Sequence, residues 1–281
     1  MNLDTFFVDN LGINFGSIYV IARNEFKRVI NHPLVIIIAT ILLLLALLNG
    51  TGLAHLLPSI EKSEQGKDIF ILYGIGQIFY RFSDYFIIFS VFIGVLSIGE
   101  EQSKKSLSVL LSKPLYRRDI VAGKFLGIST FLLIFIILNF VVSSLLVMVF
   151  FRQPLSAVEY ILRLSSGIVS LFFESMLVLS ITMLIGIIFK DLLIALIVAT
   201  TYLYVDSYSS IIRYLGDLSI ISQKYLYITI TSGASKFNLF DTSISYTNWL
   251  GTSLPYILLM LFEILAVLLI NCIIFARYDE R

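Results

Sequence analysis

Six long runs of apolar residues, separated by charged segments, leave this chain few choices of environment. Crossing the hydrocarbon layer of a bilayer takes roughly 20 mostly apolar residues in a helix. The runs fall at about residues 30–49, 82–99, 124–150, 166–189, 191–206 and 254–275. Pro33 suits the first helical turn, where its missing N–H costs nothing, and Asn49-Gly50 reads as the end of the first run. Strands of a transmembrane barrel would be about 10 residues long and alternate in polarity. These runs are longer and apolar on every face. Helices satisfy their own backbone groups in lipid, so they are the physical solution. The expected fold is an all-α integral membrane protein with six transmembrane helices, one domain over residues 1–281.

Composition agrees. Hydrophobic types make up 58% of the chain and charged types only 14%, with a mean hydropathy of +0.94. A typical soluble domain carries about 25% charge. An ordinary cytoplasmic enzyme and a disordered chain are both excluded. The single Cys272 allows no internal disulfide, and His32 and His55 are too few for a histidine-based metal site. No basic tract points to nucleic acid. Asp4 and Asp9 stand where a secretory leader would be basic, so no cleavable signal peptide is expected.

Six spans put both termini on one side, and basic residues choose which. Arg23, Lys27 and Arg28 precede the first run. Lys104, Lys105, Lys113, Arg117, Arg118 and Lys124 lie between the second and third, Lys190 between the fourth and fifth, and Arg277 and Arg281 after the sixth. The other side holds fewer, in longer segments at 50–81 and 207–253. The basic side is assigned to the cytoplasm of a plasma-membrane protein, with both termini and the 100–123 loop inside.

Two inner segments do not span. In 17–31, helical periodicity gathers Ile18, Ile21, Ala22, Phe26 and Val29 on one side and Arg23, Asn24, Lys27 and Asn31 on the other. That pattern predicts an amphipathic helix lying in the headgroup layer; the plainer alternative is a cytoplasmic lead-in. The 100–123 loop opens with Glu100, Glu101, Lys104 and Lys105, where Glu101 and Lys105 stand at the favourable i,i+4 spacing. Leu107, Leu110 and Leu111 form an apolar stripe, Ser112-Lys113-Pro114 breaks the helix, and a second start follows at Arg117-Arg118-Asp119. A mere connection would need fewer residues. A rigid charged elbow suits a segment that receives force from a partner protein. On the outer side, surface helices are plausible at 209–227, tyrosines such as Tyr202 and Tyr214 could sit at headgroup level, and Trp249 reads as an interface anchor.

Familiar chemistry is missing. There is no Gly-x-x-x-x-Gly-Lys-Ser/Thr run, no His-Glu-x-x-His and no Gly-x-Ser-x-Gly, so no catalytic or metal-binding residue is assigned. Two acids, Glu174 and Glu263, lie inside spans at similar depths. Ionisable groups there face protein or water. Three roles stay open for them: polar contact between helices, lining of a translocation path, or none.

The segment Ala22-Arg23-Asn24-Glu25-Phe26-Lys27 resembles the entry helix of ABC-2 type transporter permeases. The loop resembles that family's signature through Glu101, Leu107, Leu110, Leu111, Ser112, Pro114, Arg117, Gly123 and Lys124. Lys105-Ser106 departs from the Gly-Thr usual there. The resemblance implies an exporter's membrane subunit that pairs with a second permease, identical or closely related. It also implies two copies of a separate ATPase that bind ATP and Mg, while this chain binds no cofactor. Glu100, Glu101, Leu107, Leu110, Leu111, Pro114, Arg117 and Arg118 would form the cytoplasmic coupling helix and its contacts. Arg23, Glu25, Phe26 and Lys27 would form the interfacial helix beside it, and Phe189-Lys190-Asp191 a secondary docking point. The alternatives are a secondary transporter or channel using Glu174 and Glu263, or a membrane scaffold or lipid-modifying enzyme. The apolar interior leans toward an amphipathic or lipid-like substrate.

Overall fold

A computed structural model describes residues 15–61, 68–103, 117–189, 191–207 and 238–277. The described residues form seven α-helices and one π-helical turn. They are α1 (Phe15–Asn31), α2 (Pro33–Glu61), the π-turn (Phe70–Ile75) leading into α3 (Gly76–Ser103), α4 (Arg117–Phe150), α5 (Ala157–Ile188), α6 (Leu192–Ser207) and α7 (Tyr246–Arg277). Five stretches are long and apolar enough to cross a membrane: Pro33–Pro58, Phe70–Ile98, Arg118–Phe150, Ala157–Ile188 and Tyr246–Ala276. The fifth expected span, 191–206, is an apolar helix, α6, but its 16 residues fall short of that length, and the chain directly after it lies outside the described residues. So do the expected surface helices at 209–227 and the tyrosines beyond Ser207.

The first two spans are longer than the sequence suggested. Asn49-Gly50 does not end the first; α2 continues to Glu61. A glycine inside a helix costs about 1 kcal/mol relative to alanine, and here packing offsets that cost. A Cβ on Gly50 would come within 2.9 Å of Leu146 Cβ, so the bare backbone lets α2 lie tightly on α4. Ser143 Oγ then reaches across to donate to the Ala46 carbonyl at 3.2 Å. The second span begins at Phe70 rather than near 82, so much of the expected outer segment 50–81 is helical.

α4 is the central mast. α1, α2, α5 and α7 all pack on it, while α3 packs on α4, α5 and α6. A ladder of phenylalanines joins α3 to α4. Phe79, Phe82, Phe86 and Phe89 recur at helical spacing on α3 and meet Phe131, Phe135 and Phe140. Ring centroids lie 5.5 Å apart for Phe82–Phe140, 5.7 Å for Phe86–Phe135 and 5.6 Å for Phe89–Phe135. Lipid tails are as apolar as Phe, so this association draws on packing and ring geometry rather than on removal from water.

The end of the bundle remote from α1 is held by two polar ties. Arg163, fully buried on α5, donates to the carbonyls of Leu239, Asp241 at 3.2 Å and Ile244 at 2.6 Å. Asp68 accepts from the Leu155 N–H at 2.8 Å and the Phe70 N–H at 3.1 Å, and its own N–H donates to Thr242 Oγ1 at 3.2 Å. Three turns are thereby fastened together. Trp249 is 1% exposed and packs beside Tyr246, so it is a core residue and not an interface anchor. Its ring fills space between α7 and the bundle, which position in the sequence alone does not reveal.

Phe135 sits in the ladder against both Phe86 and Phe89. Phe135→Ala is expected to lower stability by about 3–5 kcal/mol, the usual range for emptying such a site. Thermal unfolding in detergent would check this. A change under 1 kcal/mol would mean that the ladder does not hold α3 to α4.

Candidate functional site

The sequence pointed to α1 and to the loop between the second and third spans, and the structure joins the flanks of that loop to α1. Two glycines make this possible. A Cβ on Gly127 would lie 2.4 Å from the Ala22 carbonyl oxygen, and one on Gly123 would lie 2.7 Å from Ile21 Cβ. Spaced four apart, they face one side of α4, and α1 lies backbone-close along them.

That approach brings charges together. Glu25, only 5% exposed, lies on the side of α1 that meets the bundle. Arg28 Nη2 donates to its Oε1 at 2.6 Å, and Lys124 Nζ on α4 stands 3.5 Å from its Oε2. Both cations also reach α3: Arg28 Nη2 donates to the Ser97 carbonyl at 3.1 Å and Lys124 Nζ donates to it at 2.9 Å. One carboxylate and one carbonyl thus bind three helices. Burial makes each charge depend on its partners. Replacing a whole buried ion pair by apolar groups can be neutral, but stripping one partner costs about 3–5 kcal/mol because the other is left uncompensated.

The knot lies close to the loop. Ser97 is one helical turn, about 6 Å of rise, before Glu101, and Lys124 is about 10 Å after Arg117. Glu100 and Glu101 sit near the end of α3; Arg117 and Arg118 open α4. Leu107, Leu110, Leu111 and Pro114, the body of the expected coupling segment, lie outside the described residues. On α1, Arg23, Asn24 and Lys27 are exposed, while Phe26 turns inward, its ring 6.5 Å from Phe131. The faces read from periodicity are the faces seen, except that Glu25 falls in the middle of the apolar one.

Other sequence candidates lie elsewhere. Glu174 is buried at the contact of α5 with α3, where Ser83 Oγ donates to its Oε2 at 3.2 Å. Glu263 is half-buried on α7. α7 packs along α5, held by Ser166–Tyr246 at 2.8 Å near one end and Asn271 Nδ2 donating to the Ser180 carbonyl at 2.8 Å near the other. Both acids lie between those two bonds. Asp191 Oδ1 accepts from the Leu193 and Ile194 N–H groups at 2.8 and 3.4 Å, capping α6. Lys190 is outside the described residues. Among the described residues no group of His, Cys, Asp and Glu is arranged to hold a metal ion.

Sequence reading missed Arg28 and Ser97 as members of the site and quoted Lys124 only as part of a motif. The available signal was Glu25 itself. An acid at the centre of an apolar helix face needs a cation from another element, and Lys124 follows one of the two glycines that admit α1.

Glu25→Ala should destabilise the protein by about 3–5 kcal/mol and release α1, leaving Lys124 buried without its carboxylate. Glu25→Gln should lose less, because the amide oxygen still accepts. Unfolding midpoints, with protease cleavage within α1 as a local reporter, distinguish the two. Equal losses would mean that charge plays no part in the knot.

A comparison with curated proteins finds no match. A family model described as "ABC-2 family transporter protein" covers residues 19–279, which includes most of α1, the loop, and the five candidate spans. The chain therefore belongs to the ABC-2 transporter family: it is a multi-pass membrane permease component of an ABC transporter.

Proposed function

We propose that this permease couples ATP hydrolysis on a separate, two-copy ATPase to export of an amphipathic substrate across the plasma membrane, working as a pair of permease subunits. The observation that carries this reading is the knot of Glu25, Arg28, Lys124 and Ser97. It joins α1 to both helices that flank the 104–116 segment. A push on that segment would move α1, α3 and α4 together, and the phenylalanine ladder would carry the movement into the spans. Linkage of this kind needs an element that both sites bias.

In this reading the α1 end faces the cytoplasm. Residues 100–123 form the coupling element, Glu100, Glu101, Arg117 and Arg118 offer charged contacts to the ATPase, and Leu107, Leu110, Leu111 and Pro114 shape its apolar seat. α1 lies at headgroup level. The groove of about 630 Å³ between α1 and α4, lined mostly by apolar residues with Arg23 among them, fits that placement. α6 supplies the remaining span. ATP and Mg belong to the partner. Glu174 serves as a polar contact between α3 and α5, supported by its bond from Ser83.

Reversing both Glu101 and Arg117 (Glu101→Lys with Arg117→Glu) should abolish co-purification of the ATPase or uncouple its turnover from transport, with the permease still folded. Unchanged transport and unchanged stimulation of the ATPase would sink the docking assignment. Glu174→Gln keeps an acceptor for Ser83 and should leave ATP-driven transport intact. Transport that disappears in Glu174→Gln and Glu263→Gln, while ATPase activity persists, would instead make the acids part of the path.

A further inference from the structure

Among its described residues α3 is covered on nearly all sides, and the strip it leaves open is polar from Gln77 to Asp84 and ends at Ile88. Its phenylalanines face α4, Ser83 faces Glu174 on α5, and Val91 and Val95 pack against Ala195 and Ala199 of α6. The exposed strip is Gln77, Tyr80, Arg81, Asp84 and Ile88. At 1.5 Å per residue, Arg81 and Asp84 stand about 20 and 24 Å along the helix from Asp68, and about 24 and 20 Å from Ser97. They thus lie midway between the two polar ties of the bundle, at the depth where lipid tails are expected. Charged side chains do not face hydrocarbon without a partner.

The strip has unmet needs of opposite sign. Arg81 Nη1 donates to Asn49 Oδ1 on α2 at 2.7 Å, which uses one of its five N–H groups. The Asn49 amide nitrogen beside it is buried and has no acceptor among the described residues. One turn away, the Asp84 carboxylate has no hydrogen-bond or ion-pair partner among the described residues. Donors are in excess at Arg81 and acceptors at Asp84, and the net charge of the strip is zero.

We infer that this strip of α3 is the surface on which a second copy of the chain docks, Arg81 of each copy meeting Asp84 of the other. The spacing 77, 81, 84, 88 is the four-three-four pattern of a parallel helix seam. In such a seam the side chain at 81 enters a hole formed by residues 77, 80, 81 and 84 of the facing helix, which are the open residues here. Copies related by a two-fold axis along the membrane normal run parallel, so the contact is isologous and each Arg–Asp pair occurs twice. An unlike occupant, such as a transported solute, would not require acid and base in equal number at this spacing.

The inference rests on the reading that two permeases assemble, and the test separates the two. Full-length copies with different tags are expressed together, one carrying Arg81→Asp and the other Asp84→Arg. Each variant pairs badly with itself and well with the other, so mixed pairs should exceed like pairs by roughly tenfold or more. An ion pair within one helix would give no such bias. In a Cys272→Ser background, Gln77→Cys should cross-link between copies on mild oxidation, which also decides the matter if a charge variant fails to fold. Wild-type copies that co-purify, with no cross-link at Gln77→Cys and no bias in the mixed pairs, would overturn this surface and leave pairing intact. Wild-type copies that never co-purify would overturn both. Loss of transport in Arg81→Gln without a cross-link at Gln77→Cys would assign the strip to the transported molecule instead.

Discussion

The close approach of α1 to α4 is the constraint on which the site depends. Bare backbone at Gly123 and Gly127 lets α1 lie down. Only then can Lys124 reach Glu25, and only with Glu25 in place are Arg28 and Lys124 both held near the Ser97 carbonyl. A side chain at either glycine would lift the helix by more than these short contacts tolerate. The polar knot is thus a consequence of small residues, as is common where helices meet without a hydrophobic driving force between them.

The bundle uses different forces at different depths. At the α1 end, buried charges bind three helices near the loop. Along the middle, α3 and α4 mesh through phenylalanines, and α5 adds the single bond from Ser83 to Glu174. At the far end, Arg163 and Asp68 fasten turns rather than helices. A membrane transporter must move as connected parts. Polar ties at both ends, with an apolar seam of meshed rings between, connect the helices along their length.

Membership of the ABC-2 family and the position of the knot support one account of how work enters the molecule. In the proposed function, a partner that pushed on the segment after Ser103 would act within two helical turns of the knot, and the three helices tied there would share the displacement. The open polar strip on α3 completes that account on the opposite side of the same helix. What α3 receives from the loop it would pass to the seam between two copies.

The amino-acid sequence by itself determined the helical membrane class, because runs of about twenty apolar residues admit few other solutions. It also determined which residues of α1 turn to the bundle and which are exposed, since 3.6-residue periodicity acts locally. It misjudged the ends of the first two spans. Asn49-Gly50 and Arg81 look like boundaries until Gly50 is seen packed on Leu146 and Arg81 bonded to Asn49. Trp249 likewise looked like an anchor and proved to be core. Tertiary structure alone decided which cation answers Glu25, which hydroxyl answers Glu174 and which charges face outward on α3. Arg28 apart, these partners lie tens of positions away, and local propensity carries no information about a partner brought near only by packing.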